Sequence, residues 1–324
     1  MCPPKETETP LSRRRFLQVA GAAPFLAAVV GQTPPRITAT DLGGGLSLFQ
    51  GAGCNVVALR GSAQVGALMV DGGLAANADA LLKAVKERTG NTRIHTLINT
   101  HWHPEQTGSN EAVGREGGVI FAHEKTRMYL SNTVTAPVLA TTRNGTLPPP
   151  SVTIQARFPP LPPAARPTKT TQGDGVLEFD GQKINYGYLP AAHTDGDIFI
   201  HFPELNVLVA GGPVSGEEWP LLDFRNGAWY GGRVRAHEKL AGLVRPDTRV
   251  VPAHGRVITG TQLLRYRDIY KTLFTTMIGY MNMGLGAEDV VERNPLKQYQ
   301  AEFGDASKFL DGAYRSMQIA YVPD

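Results

Sequence analysis

The sequence predicts a mixed α/β fold made of two halves. Each half consists of short apolar strands separated by glycine-containing turns and followed by a helical pattern. The chain has 324 residues, of which 42% are hydrophobic, so it can bury a sizeable core as one large domain or two small ones. We therefore expect a globular α/β protein with its chemistry in the loops at strand ends.

The first half begins with three short apolar stretches within residues 46–70, which we interpret as antiparallel strands. Residues 74–89 then have apolar side chains at helical spacing with charged residues between them, and Gly90 ends the pattern. The other predicted elements of this half are a strand at 94–99, a strand at 118–122 and a helix from 124 to 130.

The second half begins after residues 132–170, a stretch rich in Pro, Thr and Ala. A loop of this length is either disordered or a lid over a site. Residues 176–189 predict two strands around a turn at Asp180 and Gly181. Further strands are predicted at 198–202, 206–210 and 249–253, followed by a mostly helical region from Thr261 that ends in a helix at 306–317.

The N-terminal segment has the layout of an export signal. The string SRRRFL, residues 12–17, resembles the twin-arginine signal, whose pathway exports folded proteins. The apolar run at 16–30 is shorter than the roughly 20 residues that span a bilayer. We expect residues 1–31 to be removed, which predicts a periplasmic or secreted protein without a stable membrane anchor. An ordinary secretory signal is the alternative.

Charge and cysteine content argue against a nucleic-acid-binding protein and against a disulfide-stabilised one. The formal net charge is +3, from 32 basic and 29 acidic side chains, and the basic residues form no stripe that could follow a phosphate backbone, so we expect no nucleic acid partner. The two cysteines are Cys2, in the segment expected to be removed, and Cys54. No disulfide framework is therefore expected, and we interpret Cys54 as a small buried hydrophobe.

The strongest chemical signal is the segment NTHWHPEQTGSNE at 99–111. His101 and His103 alternate in an extended stretch, so both imidazoles can point to the same side. Zinc requires three or four nitrogen, oxygen or sulfur ligands, so a third ligand must come from elsewhere in the fold. His193 and His254 each follow a predicted strand and are the candidates.

Four ordered stretches resemble the metallo-β-lactamase superfamily. They are VDGG at Asp71, an HxHxDH-like segment at 101–106, an HTxGD segment at 193–197 and a PxHG segment at 252–255. The resemblance implies a four-layer αββα sandwich with its site at one edge of two sheets. It places this domain at residues 32–260, with the 132–170 loop over the site and a helical C-terminal extension at 261–324.

Carried over by position, the resemblance assigns His101, His103 and His193 to a first metal site. In the second site, Glu105 and Gln106 stand where the family has aspartate and histidine. The usual bridging carboxylate is also missing, because the sequence there is Gly211 and Gly212, so His254 is the one standard ligand left. We therefore expect one zinc per chain, with a second metal at most weakly bound.

Zinc held by three neutral histidines can lower the pKa of a bound water to about 7 and so produce hydroxide. Glu105 is our candidate general base, with a ligand role or a simple polar contact as alternatives. Gln106 can orient a water or a carbonyl but cannot take a proton. Asp71 and Asp197 are candidates to accept the outer N–H of a metal-bound imidazole, and turn formation is the alternative for each.

These residues predict an exported zinc hydrolase of a small-molecule ester, lactone, thioester or amide, with a β-lactam among the possibilities. One alternative is a metal-binding or scaffold protein without turnover, and another is a mononuclear iron oxygenase, which would require a carboxylate at Gly212. The oligomeric state is not predicted. Other histidines, which we interpret as structural, are His95, His123, His201 and His237. The aromatic residues Trp219, Trp229 and Tyr230 either line the pocket or pack.

Overall fold

In a computed structural model, the described part of the chain comprises residues 36–138 and 154–320. The predicted export signal and residues 139–153 of the predicted loop lie outside it. Within the described ranges, no helix is both long and apolar enough to cross a membrane.

The predicted strands and helices occur in the predicted order, together with elements that were not predicted. The strands are β1 (Thr38–Asp41), β2 (Leu46–Gln50), β3 (Val56–Leu59), β4 (Ala67–Val70), β5 (Ile94–Ile98), β6 (Val119–His123), β7 (Val134–Val138), β8 (Ile154–Phe158), β9 (Lys169–Thr171), β10 (Gly175–Phe179), β11 (Gln182–Leu189), β12 (Asp197–Phe202), β13 (Val207–Ser215), β14 (Arg249–His254) and β15 (Ile258–Thr259). The helices are α1 (Ala78–Thr89), α2 (Pro104–Thr107), α3 (Asn110–Arg115), α4 (Glu124–Ser131), α5 (Tyr230–Ala241), α6 (Gly260–Asn282), α7 (Ala287–Arg293), α8 (Gln300–Phe303) and α9 (Ser307–Ala320). Among the elements that were not predicted are β1, β7, β8, β9, β15 and α5.

Two large sheets form the centre of the fold. The first has the order β1-β2-β3-β4-β5-β6-β9, and the second has the order β10-β11-β12-β13-β14-β15. Strands β2, β3 and β4 pair antiparallel, as predicted. Strands β4, β5, β6 and β9 pair in parallel, and the connections between β4, β5 and β6 carry helices. The mixed α/β fold class is therefore confirmed.

The apolar side chains divide the fold into layers. One cluster lies between the sheets and contains Leu48, Val70 and Ile98 from the first sheet together with Ile200 and Val209 from the second. The other face of the first sheet packs against α1. The other face of the second sheet packs against α5, α6, α7 and α9. Because every apolar face is covered in this way, the four-layer αββα sandwich and its helical C-terminal region are confirmed.

Local sequence explains several boundaries. Asp180 and Gly181 have φ angles of 48° and 80°, which is the left-handed pair that a two-residue hairpin between β10 and β11 requires. Helix α1 ends at Gly90, which is also left-handed. Helix α6 begins with a capping box in which Thr259 and Gln262 satisfy each other's backbone N–H. The hairpin turn and the end of α1 lie where the sequence predicts them, and α6 begins one residue before the predicted Thr261.

The predicted loop at 132–170 contains strands at its described ends. β7 and β8 pair antiparallel, with Val134 opposite Phe158, and β9 joins the first sheet. Side chains at the base of this hairpin pack on Trp102, the residue between the first two site histidines. The strand pattern is weak in the sequence because prolines and threonines interrupt the apolar alternation. The packing ties this segment to the site.

His237 of α5 is fully buried behind the second sheet. Its Nδ1 lies 3.0 Å from the carbonyl oxygen of Arg233, to which it donates, and its ring meets Tyr270 edge-on at 4.6 Å. Burial lowers the pKa of His237 from 6.5 to about 3. The imidazole therefore stays neutral in the folded protein under conditions that protonate it in the unfolded chain.

We predict that His237 contributes to acid sensitivity. Between pH 6.5 and about 3 the unfolded chain binds a proton at His237 that the folded chain does not, so stability falls as the pH falls. His237→Leu should remove this loss, and its unfolding free energy relative to the parent should rise by about 1.4 kcal/mol per pH unit of acidification below the unfolded pKa. Urea unfolding of the metal-free protein at several pH values measures this difference.

The control is His95→Leu, because His95 is only partly buried in β5. This variant measures the effect of removing a histidine from a partly buried position. The account of His237 is wrong if His237→Leu loses stability on acidification as steeply as the parent does.

Candidate metal centre

Three histidines converge where strands of the two sheets end. His101 and His103 follow β5, and His193 follows β11. One ring nitrogen from each lies within 4.8 Å of the others, which is the one such group of three potential ligands among the described residues. Exposure is 0% for His101, 3% for His103 and 6% for His193. Burial, together with neighbouring charges, lowers the pKa of His101 and His193, so both imidazoles are neutral at neutral pH.

His101 is oriented through Thr100 and Asp71. The Thr100 hydroxyl donates to Asp71 Oδ2 at 2.8 Å, and the Thr100 N–H donates to Asp71 Oδ1 at 2.8 Å. Because the Thr100 hydroxyl proton is donated to Asp71, the hydroxyl oxygen accepts a hydrogen bond from His101 Nδ1, which is 3.1 Å away. Nε2 of His101 is then an unprotonated acceptor, fully buried and without a hydrogen-bond partner among the described residues. Asp71, a predicted partner, acts on the ring through an intervening hydroxyl.

His103 is oriented by Asp223, which the sequence analysis did not identify. Asp223 Oδ2 lies 3.2 Å from His103 Nε2, so Nε2 carries a proton and Nδ1 is the nitrogen on the side of His193. Burial opposes protonation of the ring, but Asp223 and Glu105 raise the pKa of His103 above its usual value. The backbone N–H of Asp223 also donates to the carbonyl of His193 at 3.1 Å. The sequence signal for Asp223 is slight, a single acid after two leucines. One buried residue thus contacts two of the three histidines, His103 through its carboxylate and the backbone of His193 through its N–H.

His193 is held by backbone groups. Its Nδ1 lies 2.8 Å from the carbonyl oxygen of Leu221. Because a carbonyl can only accept, Nδ1 carries the proton and Nε2 is free. Asp197, the other predicted partner, accepts from the backbone N–H groups of His193 and Thr194 at 2.6 and 2.9 Å. Asp197 therefore fixes the loop that carries His193 and does not contact the ring.

The convergent nitrogens fit a metal ion. His103 Nδ1 and His193 Nε2 lie 3.2 Å apart, and a metal bound between them would replace any proton that His103 Nδ1 donates to His193 Nε2. Two ligands in a tetrahedral zinc site with bonds of 2.0 to 2.1 Å are separated by about 3.3 Å. The unpartnered Nε2 of His101 completes the set. Three imidazole nitrogens with fixed tautomers are a suitable donor set for a dication such as zinc.

Buried charge near these rings also favours a cation. The carboxylates of Asp71, Asp197 and Asp223 are each 1% exposed, and Arg233 is the one fully buried cationic side chain among the described residues. Burial raises the pKa of Asp71 to about 8 and that of Asp197 to about 6. A dication would compensate this excess of buried negative charge and favour the ionised carboxylates.

Glu105 and His254 lie on the accessible side. Glu105 Oε1 is 3.8 Å from His103 Nδ1 and 3.7 Å from His254 Nε2. The side chains of Glu105 and His254 are 23% and 33% exposed, far more than the three buried rings. Burial opposes ionisation of Glu105, but His254 and His103 together hold the pKa of its carboxyl below its usual value. An ionised carboxylate therefore stands beside the open face of the site.

His193 occupies the space beside Gly212. A Cβ on Gly212 would overlap the imidazole of His193 at Cδ2 and Cγ. A carboxylate at this position would therefore require His193 to move. Gln106 is fully buried, and both polar atoms of its side chain lack a hydrogen-bond partner among the described residues. Its role in orienting a water or a substrate stays a prediction.

Several other singled-out residues pack in the interior. His123 stacks on Tyr188 at 4.0 Å. Trp219, which is partly buried, stacks on Phe309 of α9 at 5.3 Å, and Tyr230 is fully buried against the same helix. Cys54 is buried, and burial raises the pKa of its thiol. These contacts are structural.

Comparison with known proteins agrees with this geometry. A family model described as the metallo-β-lactamase superfamily matches residues 50–255. A metallo-β-lactamase from Pontibacter korlensis is similar in structure at 19% identity and a TM-score of 0.53, over 73% of this chain and 99% of that one. The inverting sec-alkylsulfatase Pisa1 from Pseudomonas sp. is similar at 16% identity and a TM-score of 0.61, over 89% of this chain and 52% of that one. At these identities the structural likeness concerns the fold.

We predict that Gly212→Ala weakens metal binding. The new methyl group must displace the His193 ring, so the zinc dissociation constant should rise by about tenfold or more. Competition with a chromophoric chelator measures this constant, and thermal unfolding of the metal-free protein verifies folding. Gly279→Ala is the matched control, since a Cβ there meets no atom within 4 Å. Equal zinc affinity in both variants and the parent would contradict the placement of His193.

Proposed function

The chain belongs to the metallo-β-lactamase superfamily, and on that premise we propose that it is a zinc-dependent hydrolase of a small-molecule substrate. The observation that carries the proposal is the convergence of three imidazole nitrogens, one each from His101, His103 and His193, in a buried cluster. Each tautomer is fixed by a separate partner. Such pre-organisation is what a metal site requires and what three unrelated core histidines lack.

We propose one zinc per chain. The second-site positions supply Glu105 and His254, and Gln106 adds no charge. A bridging carboxylate at Gly212 would overlap His193. The same overlap counts against the iron oxygenase alternative, because two histidines and a carboxylate at that position would be needed.

Bound zinc supplies Lewis acidity, which lowers the pKa of a water ligand to about 7. Glu105 is the group placed to accept the proton of the attacking water, because it is ionised, partly exposed and adjacent to His103. His254 lies on the other side of Glu105 and favours its charged form. The buried partners of the three ligands hold the rings in place.

The substrate class is an ester, lactone, thioester or amide, including a β-lactam. The similarity to an alkylsulfatase structure covers 89% of this chain, and on that ground we add a secondary alkyl sulfate to the assay panel. We also propose export to the periplasm or the exterior through the twin-arginine route, on the strength of the SRRRFL string at 12–17.

The test is a hydrolysis screen that compares the zinc-loaded parent protein with its Glu105→Gln variant. This substitution should lower kcat by about 10² to 10⁴ because a neutral amide cannot take the proton, with KM and zinc content near the parent values. The matched control is Glu111→Gln, since Glu111 forms an exposed ion pair with Arg115 on α3 and should leave kcat unchanged.

His101→Ala completes the test and should reduce hydrolysis to background. Hydrolysis that persists in His101→Ala would contradict the mechanism. Loss of zinc from Glu105→Gln would assign Glu105 as a ligand in place of a base. A zinc-loaded protein that turns over no member of the panel would favour the alternative of a metal-binding protein without turnover.

A further inference from the structure

Arg233 is a buried cation that the proposed chemistry does not use. It lies in α5 and is 0% exposed. Its guanidinium donates to the carbonyl oxygens of Pro213 at 2.6 Å and Leu221 at 2.5 Å. Within the described ranges, no carboxylate forms an ion pair or hydrogen bond with it. Burying a guanidinium without a charged partner costs free energy. The hydrogen bonds to the two carbonyl oxygens offset part of this cost.

Both carbonyls are beside the third metal ligand. The oxygen of Leu221 accepts from Arg233 and also from Nδ1 of His193, 2.8 Å away. Pro213 directly follows Gly212, where an added Cβ would overlap the His193 imidazole. The guanidinium therefore fixes the backbone at two points around one ring.

The segment that carries Leu221 depends on such contacts. Residues 216–222, all of them described, form neither helix nor strand. A backbone segment without a regular ladder is held by side-chain donors and packing. Arg233 joins this segment to the end of β13 through one planar group with two aligned donors. Lysine has a single ammonium head and lacks that fork.

We infer that Arg233 is a positioning residue for His193, holding the carbonyls of Pro213 and Leu221 so that Nδ1 stays protonated and Nε2 is directed at the metal. The inference depends on the proposed metal site. It does not depend on whether the protein hydrolyses a substrate. Arg233 contacts neither the metal nor a substrate. It acts through the carbonyl oxygen that His193 shares with it.

The experiment compares Arg233→Met and Arg233→Lys with the control Arg235→Met. Arg235 is an exposed cation on the same helix, with its guanidinium 4.9 Å from the Trp229 ring. Zinc dissociation constants are measured on the full chain by chelator competition. Arg233→Met should weaken zinc binding by about 10- to 100-fold, Arg233→Lys should give a smaller loss, and Arg235→Met should match the parent.

A second measurement separates positioning from general stability. Nitrogen-15 NMR of the imidazoles in the metal-free protein, assigned with His193→Ala, reports which nitrogen of His193 is protonated. The parent should show a single Nδ1-protonated tautomer, and Arg233→Met should show a mixture. A role in stability alone would lower the unfolding temperature while leaving the tautomer and the zinc dissociation constant unchanged, and this result would overturn the inference.

The inference is still tested in two further cases. If Arg233→Met does not fold, Arg233→Lys decides, because zinc affinity and a tautomer equal to those of the parent would overturn the inference. If the parent binds no zinc, the proposed function fails, and the tautomer of His193 in the metal-free variants still tests the role of Arg233.

Discussion

The site depends on one constraint, which is that each of three buried imidazoles has one nitrogen tied to a fixed partner. Thr100, Asp223 and the Leu221 carbonyl hold one ring each, so the surrounding fold sets which nitrogen of each ring faces the metal position. An imidazole that could rotate or change tautomer would lose part of its binding free energy to ordering. The outer contacts therefore decide whether this cluster is a metal site or a group of packed side chains.

The sandwich makes those contacts possible. The cluster between the sheets anchors β5 and β12 in the centre of the fold, and the polar segments that follow β5 and precede β12 meet at one edge. The carbonyl of Thr100 accepts from the N–H of Ile198 at 2.8 Å, which joins the two segments directly. Helix α5 adds the third support from outside the second sheet. Its Gly232 has no room for a Cβ against the carbonyl of Ala191, and this close packing brings Arg233 to the His193 loop.

Local patterns were sufficient to predict the longer strands of both sheets and the alternation of His101 with His103, because period and turn chemistry depend on neighbouring residues. The short edge strands β1, β9 and β15 were not predicted. The ordered motifs also placed His193 near them. Asp223 and Arg233 could not be predicted from the sequence. Each contacts residues that are well separated from it along the chain, and no short sequence motif connects them. Asp223 is 120 residues from His103. Helix α5 was not singled out because its first turn contains two glycines, which disfavour a helix unless tertiary packing requires them.

The most direct test of the central claim is the metal content of the purified protein by elemental analysis, beside a double variant with His101→Ala and His193→Ala. The account predicts about one zinc per chain in the parent and none in the variant, since three fixed imidazoles provide the site. No bound metal in either protein, or equal zinc in both, would contradict the claim that these three histidines form the metal centre.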